Sequence, residues 1–295
     1  MDDSSRETPK ITREMINLFD DYTHLSLDRR KFMDNLAKLA GSMGAATVAA
    51  SMMASNAQAQ GLVAEDDPRL VTADIVYPGA KGEMKGYLAY PAEGGPFGAV
   101  IVVHENRGLN AHTKDVARRM ALEGFVTLAP DFLSDLGGTP ADEEAARPMF
   151  QNLSATDVAA NGVATLAFLA AHEKSNGKVG AMGFCWGGGT VNNLAVAAPE
   201  LRAAVPYYGG QPNPESVAAI KAKVMAHYGG LDDRINAGIP EFEAALKAAG
   251  IDHQIFIYEG ANHAFNNDTS AARYDKAAAD LAWSRTVALF KEELS

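Results

Sequence analysis

The sequence predicts an α/β protein, a mostly parallel sheet of about eight strands with helices on both faces. Three observations carry that expectation. From Leu70 onward, apolar runs of strand length alternate with segments of helical period, the order that βαβ units require. Several runs, such as Ala99-Val100-Ile101-Val102-Val103, are apolar throughout, as strands covered on both faces must be. Of 295 residues, 47% are hydrophobic and 21% charged, a composition typical of soluble globular chains.

The first two expected strands, 70–77 and 84–90, carry alternating polar residues and flank Pro78-Gly79-Ala80-Lys81-Gly82, a hairpin-type break. Six more follow at 99–104, 125–129, 178–182, 203–208, 223–228 and 253–258. Helix-period segments lie at 113–123, 157–173, 188–196, 240–249 and 271–293. No internal repeat or composition break interrupts this region, so residues 60–295 read as one domain.

Residues 1–59 read as standing apart from that fold. Ser26-Leu27-Asp28-Arg29-Arg30-Lys31-Phe32-Met33 pairs two arginines with a phenylalanine two positions on. It resembles the twin-arginine export signal of bacteria, with Asp28 where Ser or Thr is usual and Asp34 where Lys is common. An uncharged stretch rich in Ala, Gly, Ser and Met runs from Leu39 to Ala64, too weakly apolar for a stable membrane span. It contains Ala57-Gln58-Ala59, a small-x-small cleavage site. The expectation is export through the twin-arginine machinery by residues 26–59, cleavage after Ala59 and a periplasmic location, or a cytoplasmic one if the signal is unused. No role is assigned to residues 1–25.

A formal charge of −11 lacks the basic footprint of a nucleic-acid binder or of a polybasic lipid anchor. The single cysteine forbids an internal disulfide and a Cys-rich metal centre. The seven histidines form no His-Glu-x-x-His or His-x-His, so no metal is expected. Gly187-Gly188-Gly189 lacks the spacing of a phosphate-binding loop, so no cofactor is expected either. The expected partner is a small molecule, and the chain is expected to be a monomer.

The strongest local signal is Gly183-Phe184-Cys185-Trp186-Gly187-Gly188 behind an apolar strand. A nucleophile on a strained strand-to-helix turn needs neighbours without side chains. The following helix then directs its N-terminal N–H groups at the site, favouring a thiolate and a developing oxyanion. No Gly-x-Ser-x-Gly occurs to compete. Beyond the next strands stand Gly229-Gly230-Leu231-Asp232 and Asn262-His263-Ala264-Phe265. Both lie at carboxyl ends of strands, where open α/β sheets place their sites. His263 would serve as base and Asp232 would orient it; the Gly229-x-x-Asp232 spacing favours Asp232 over Asp233.

These motifs, with Glu105-Asn106-Arg107-Gly108-Leu109-Asn110 after the third strand, resemble the dienelactone hydrolase (carboxymethylenebutenolidase) family of the α/β-hydrolase fold. The resemblance implies a Cys185–His263–Asp232 triad cleaving a small ester or lactone through a thioester. It implies that Glu105 contacts the resting thiol, and that backbone N–H groups of Trp186 and Asn106 form the oxyanion hole. Two family arginines that bind a substrate carboxylate are replaced, by Asn267 and by Asp135 in Asp131-Phe132-Leu133-Ser134-Asp135. Arg107, Phe132 and Tyr208 are the expected substrate-binding side chains, with Arg107 the cation that could compensate. Two other readings stand beside this one: a non-catalytic periplasmic binding protein, and a redox or acyl-transfer thiol protein.

Overall fold

The computed structural model describes residues 9–24, 27–54 and 61–295. The expected cleavage site Ala57-Gln58-Ala59 lies outside the described residues. An eight-stranded sheet forms the centre, in the order β1-β2-β4-β3-β5-β6-β7-β8. Its strands are β1 (Leu70–Pro78), β2 (Glu83–Pro91), β3 (Phe97–Val103), β4 (Val126–Asp131), β5 (Ser175–Phe184), β6 (Ala203–Tyr207), β7 (Lys223–Gly229) and β8 (His253–Tyr258). β1 and β2 pair antiparallel, as do β2 and β4, and every later pairing is parallel. All the expected strands form, with ends moved by a few residues.

Alternation along each strand sends neighbouring side chains to opposite faces. In β3, Val100 and Val102 enter one apolar layer, while Ala99, Ile101 and Val103 enter the other. The first layer is covered by α4 (Ala111–Leu122), through Val116 and Met120, and by α10 (Lys276–Leu294), through Phe290 and Leu294. The second is covered by α6 (Ala155–Ala170), α7 (Trp186–Ala197) and α9 (Ile239–Ala248), whose Leu166, Leu194 and Phe242 are buried there. α5 (Glu143–Met149) and the short α8 (Asp233–Asn236) sit at the carboxyl edge and carry side chains to the site.

The described residues of the N-terminal segment pack against this fold. α1 (Arg13–His24), α2 (Arg29–Ala40) and α3 (Met43–Met53) form a three-helix unit around Phe19, Tyr22, Phe32, Leu36, Ala49 and Met53. Asp28, unusual for an export motif, is the N-cap of α2 and accepts from Lys31 N at 2.9 Å. The unit is tied to the loop before α10. Ser270 Oγ donates to Met53 O at 2.8 Å, and Ala272 N donates to Met52 O at 3.2 Å. Those contacts hold residues 270–274 out of a helix, so α10 starts at Lys276, capped by Asp275, and not at the expected 271. Among the described residues no single helix is long and apolar enough to cross a membrane.

Candidate active site

β5 ends at Phe184 and α7 begins at Trp186, so Cys185 alone makes the turn, at φ 56° and ψ −114°. A side chain there is strained, and the surroundings hold it. Cys185 N donates to Tyr207 O at 3.0 Å, and Gly189 N donates to Cys185 O at 3.2 Å. A Cβ on Gly183 would lie 2.4 Å from Gly187 O, and one on Gly187 would lie 2.4 Å from His104 O. The chain therefore turns this tightly only with glycine at both flanking positions. Cys185 stands at the amino end of α7, where the helix dipole favours negative charge.

Asp232 leaves β7 and caps α8, its Oδ1 accepting from Ile235 N at 3.2 Å. Its Oδ2 accepts from His263 Nδ1 at 2.5 Å, with both residues buried. Burial pushes the Asp232 carboxyl up, but His263 outweighs it and the group lies below the ordinary carboxylate value. Burial likewise opposes charge on His263. Its bond to Asp232 and the nearby Cys185 sulfur prevail and raise it to about 10. A ring nitrogen of His263 lies within 4.8 Å of the sulfur, yet Nε2 makes no hydrogen bond.

The thiol's hydrogen bond goes elsewhere. His24, the last residue of α1, places Nε2 2.9 Å from Cys185 Sγ, and its ring stands edge-on to His263 with centroids 4.7 Å apart. Its Nδ1 lies 2.9 Å from Asp20 O, which can only accept. That assigns the proton to Nδ1 and leaves the Nε2 lone pair to receive the S–H. Burial, then repulsion by His263, holds His24 well below the ordinary imidazole value, consistent with a neutral ring. The last carbonyls of a helix lack internal partners, and here the domain supplies them. Asn106 Nδ2 donates to Thr23 O at 2.9 Å, and Arg147 donates to Tyr22 O. Capping of α1 and its docking over the thiol are one set of contacts.

The remaining expected residues divide. Trp186 N and Asn106 N, at the start of α7 and on the loop after β3, make no hydrogen bond to a backbone carbonyl among the described residues. Glu105 does not hold the thiol: Oε2 accepts from Asn267 Nδ2 at 3.1 Å, and Oε1 is buried without a partner. Tyr208 lines the site, its ring 5.0 Å from that of His263 and its hydroxyl buried and unpartnered. Phe132 does not line the cavity; its ring packs edge-on beneath Trp186, 5.6 Å away. Arg107 is not a spare cation either, since its buried guanidinium is paired with Glu144. Asp135 faces α6, accepting from Asn161 Nδ2 at 2.9 Å.

A cavity of about 810 Å³ opens beside Cys185, bounded by Trp186, Tyr208 and His263 and, from α1, by Tyr22 and His24. Its arginines are Arg29, Arg147 and Arg234; the sequence motifs mark Arg29 only as part of the arginine pair and do not mark Arg147 or Arg234 at all. His104 was missed as well. It is fully buried, with Nδ1 2.7 Å from Glu105 O, Nε2 accepting from Phe132 N at 3.2 Å, and its ring stacked on Trp186 at 5.5 Å. It thereby fixes the loop that carries Glu105 and Asn106.

Comparison with known proteins agrees with this architecture. A Methylorubrum extorquens protein provisionally named carboxymethylenebutenolidase is 32% identical over 249 residues, 79% of this chain and 85% of its own. An Escherichia coli O157:H7 protein with the same provisional name is 33% identical, over 83% of this chain and 93% of its own. Among solved structures, a Klebsiella pneumoniae protein provisionally named a dienelactone hydrolase superposes with a TM-score of 0.70 at 28% identity, over 76% of this chain and 99% of its own. A dienelactone hydrolase-like promiscuous phosphotriesterase from metagenomic libraries superposes with a TM-score of 0.69 at 25% identity, over 77% of this chain and all of its own. The characteristic pattern of the dienelactone hydrolase family matches residues 84–294, from β2 through α10, and with the relatives just described it makes this chain a member of that family.

Proposed function

We propose that the chain hydrolyses small carboxylic esters or lactones through a covalent thioester on Cys185. The observation that carries the proposal is the His263–Asp232 contact at 2.5 Å, held beside a cysteine on a strained elbow. In the reactive form the thiol proton has moved to His263 Nε2, giving a thiolate–imidazolium pair stabilised by Asp232. The thiolate attacks the carbonyl, and the oxyanion is received by the Trp186 and Asn106 N–H groups. Collapse forms the thioester, and His263 passes its proton to the departing alkoxide; in a lactone that oxygen stays tethered. His263 then takes a proton from water, whose oxygen attacks the thioester. The acid leaves, and the thiolate–imidazolium pair is restored. Glu105, with Oε1 buried and unpartnered, is a second acceptor for the thiol proton once His24 withdraws.

The docked leader opposes this chemistry, because the S–H is directed at His24 and away from His263. We infer that turnover requires α1 to move aside or to be removed, and that residues 26–59 serve as an export signal. Cleavage after Ala59 would remove His24 with the leader. The domain, residues 60–295, would then act as a periplasmic monomer. Burst release of nitrophenol from a short-chain nitrophenyl ester tests the hydrolytic reading. A burst lost in Cys185→Ser and His263→Ala supports it, and a burst that survives in Cys185→Ser overturns it. Fractionation with N-terminal sequencing tests the export reading: a periplasmic chain starting at Gln60 is expected, and a cytosolic chain retaining its leader contradicts it.

A further inference from the structure

His24, Cys185 and His263 come from three distant parts of the chain, yet a ring nitrogen of each histidine and the sulfur all lie within 4.8 Å of one another. Both rings are oriented from behind by oxygen acceptors. Nδ1 of His24 meets Asp20 O at 2.9 Å, and Nδ1 of His263 meets Asp232 Oδ2 at 2.5 Å. Contacts of this kind fix the tautomer and raise the basicity of the inward nitrogen, as they do for metal-bound imidazoles. The His263 side chain is 1% exposed, and its Nε2 has no hydrogen-bond partner. A buried ring nitrogen that faces the sulfur and the other inward nitrogen with no hydrogen-bond partner is a ligand position that a metal ion can fill by displacing its proton.

We propose that docking of α1 completes a divalent-metal site from His24 Nε2, Cys185 Sγ and His263 Nε2, taking Zn²⁺ or a cation of similar softness. The inference rests on the same thiol and base as the hydrolytic reading above. One thiolate with two imidazoles selects zinc-like ions over the hard cations Mg²⁺ and Ca²⁺. Three protein ligands leave a fourth position for water or a small anion from the adjoining cavity. Zinc–sulfur and zinc–nitrogen bonds of about 2.3 and 2.05 Å set a tetrahedral S···N separation of roughly 3.5 Å. The 2.9 Å contact between His24 and Cys185 therefore opens by about half an ångström on loading.

Binding releases the thiol proton, and any proton on His263 Nε2, to solvent. The sulfur electron pair that would attack a carbonyl is donated to the metal, and the base is occupied as well. The loaded form is inert toward esters. Because His24 precedes Ala59, the site exists only in the chain that keeps its leader.

The test uses full-length, metal-free protein and its His24→Ala and Cys185→Ser variants, with folding checked by circular dichroism. Zn²⁺ is titrated against a chromophoric chelator, and Co²⁺ is added separately to read the thiolate-to-cobalt charge-transfer band. The expected result is one Zn²⁺ per chain, an affinity at least about tenfold weaker in His24→Ala, and no cobalt band in Cys185→Ser. Absence of stoichiometric Zn²⁺ binding by the full chain overturns the proposal, and so does His24→Ala binding as tightly as wild type. Nitrophenyl ester turnover is measured separately on the metal-free His24→Ala chain, in which no imidazole from α1 holds the thiol, so failure of the metal site and failure of the hydrolytic reading are distinguishable.

Discussion

In the proposed mechanism Cys185, His263 and Asp232 act as a unit, and each is immobilised by something else: the elbow, Asp232, and the cap on α8. Groups that act together lose most of their effect when any one is removed. Cys185→Ser and His263→Ala are each expected to lower kcat/KM for a nitrophenyl ester by at least about a thousandfold, read by steady-state kinetics. Retention of a tenth of the wild-type value in either would contradict the assigned roles. Tyr208 offers a different kind of check. Its hydroxyl is buried with no partner, and burial raises its pKa well above the ordinary phenol value. Removing an unsatisfied polar group from a tight site recovers desolvation energy. Tyr208→Phe is expected to leave Tm unchanged or raise it, and a fall of several degrees in a thermal melt would show that the hydroxyl does contribute.

At the scale of elements, the strand-to-helix elbow was legible in the sequence and the role of α1 was not. Glycines two before and two after a cysteine, behind an apolar strand, have few physical explanations, and the close approach of Gly183 to Gly187 is one of them. The helical period of α1 is also present, as Met15, Ile16, Phe19 and Tyr22 lie on one face and are buried. Period alone says that a face is covered, not by what, so nothing local marks His24 as a neighbour of residue 185. Arg107 failed for a related reason. A loop cation looks available until its partner Glu144, from an element of only seven residues, is placed beside it. α1 docking depends on Arg273, which pairs with Asp20 at 3.4 Å and lies over the Phe19 ring at 5.0 Å. Arg273→Ala is expected to speed alkylation of Cys185 by iodoacetamide several-fold in the full-length chain, while the far-ultraviolet spectrum of the domain is kept. An unchanged alkylation rate would mean that α1 does not shield the thiol.

For the whole molecule, the charge state of the site sets a pH dependence of stability. His263 is raised to about 10 from an unfolded value of about 6.5. Its contribution is therefore complete below about 6.5 and is lost as pH rises toward 10. Asp232 is depressed, so its contribution holds above about 3.9 and is lost as pH falls through its lower folded value. The urea midpoint of the wild type is expected to decline between pH 7 and 10, and His263→Ala is expected to show a shallower decline there. Parallel curves for the two proteins would contradict the assigned ionisation. The positions of eight strands and the mostly parallel sheet followed from alternation and apolar runs, because burial on both faces leaves a plain mark on sequence; the order of the strands across the sheet, β1-β2-β4-β3-β5-β6-β7-β8, has no such local mark. How α1, α2 and α3 pack depends on surfaces that form only after the sheet and its covering helices have assembled.

The most direct measurement is intact-mass analysis of the enzyme quenched in acid during turnover of a short-chain nitrophenyl ester, followed by peptide mapping. An acyl mass on the peptide bearing Cys185, absent from Cys185→Ser and discharged on longer incubation, is the expected result. Turnover that proceeds with no acyl mass on Cys185, or with the acyl group on another residue, would contradict the thioester route.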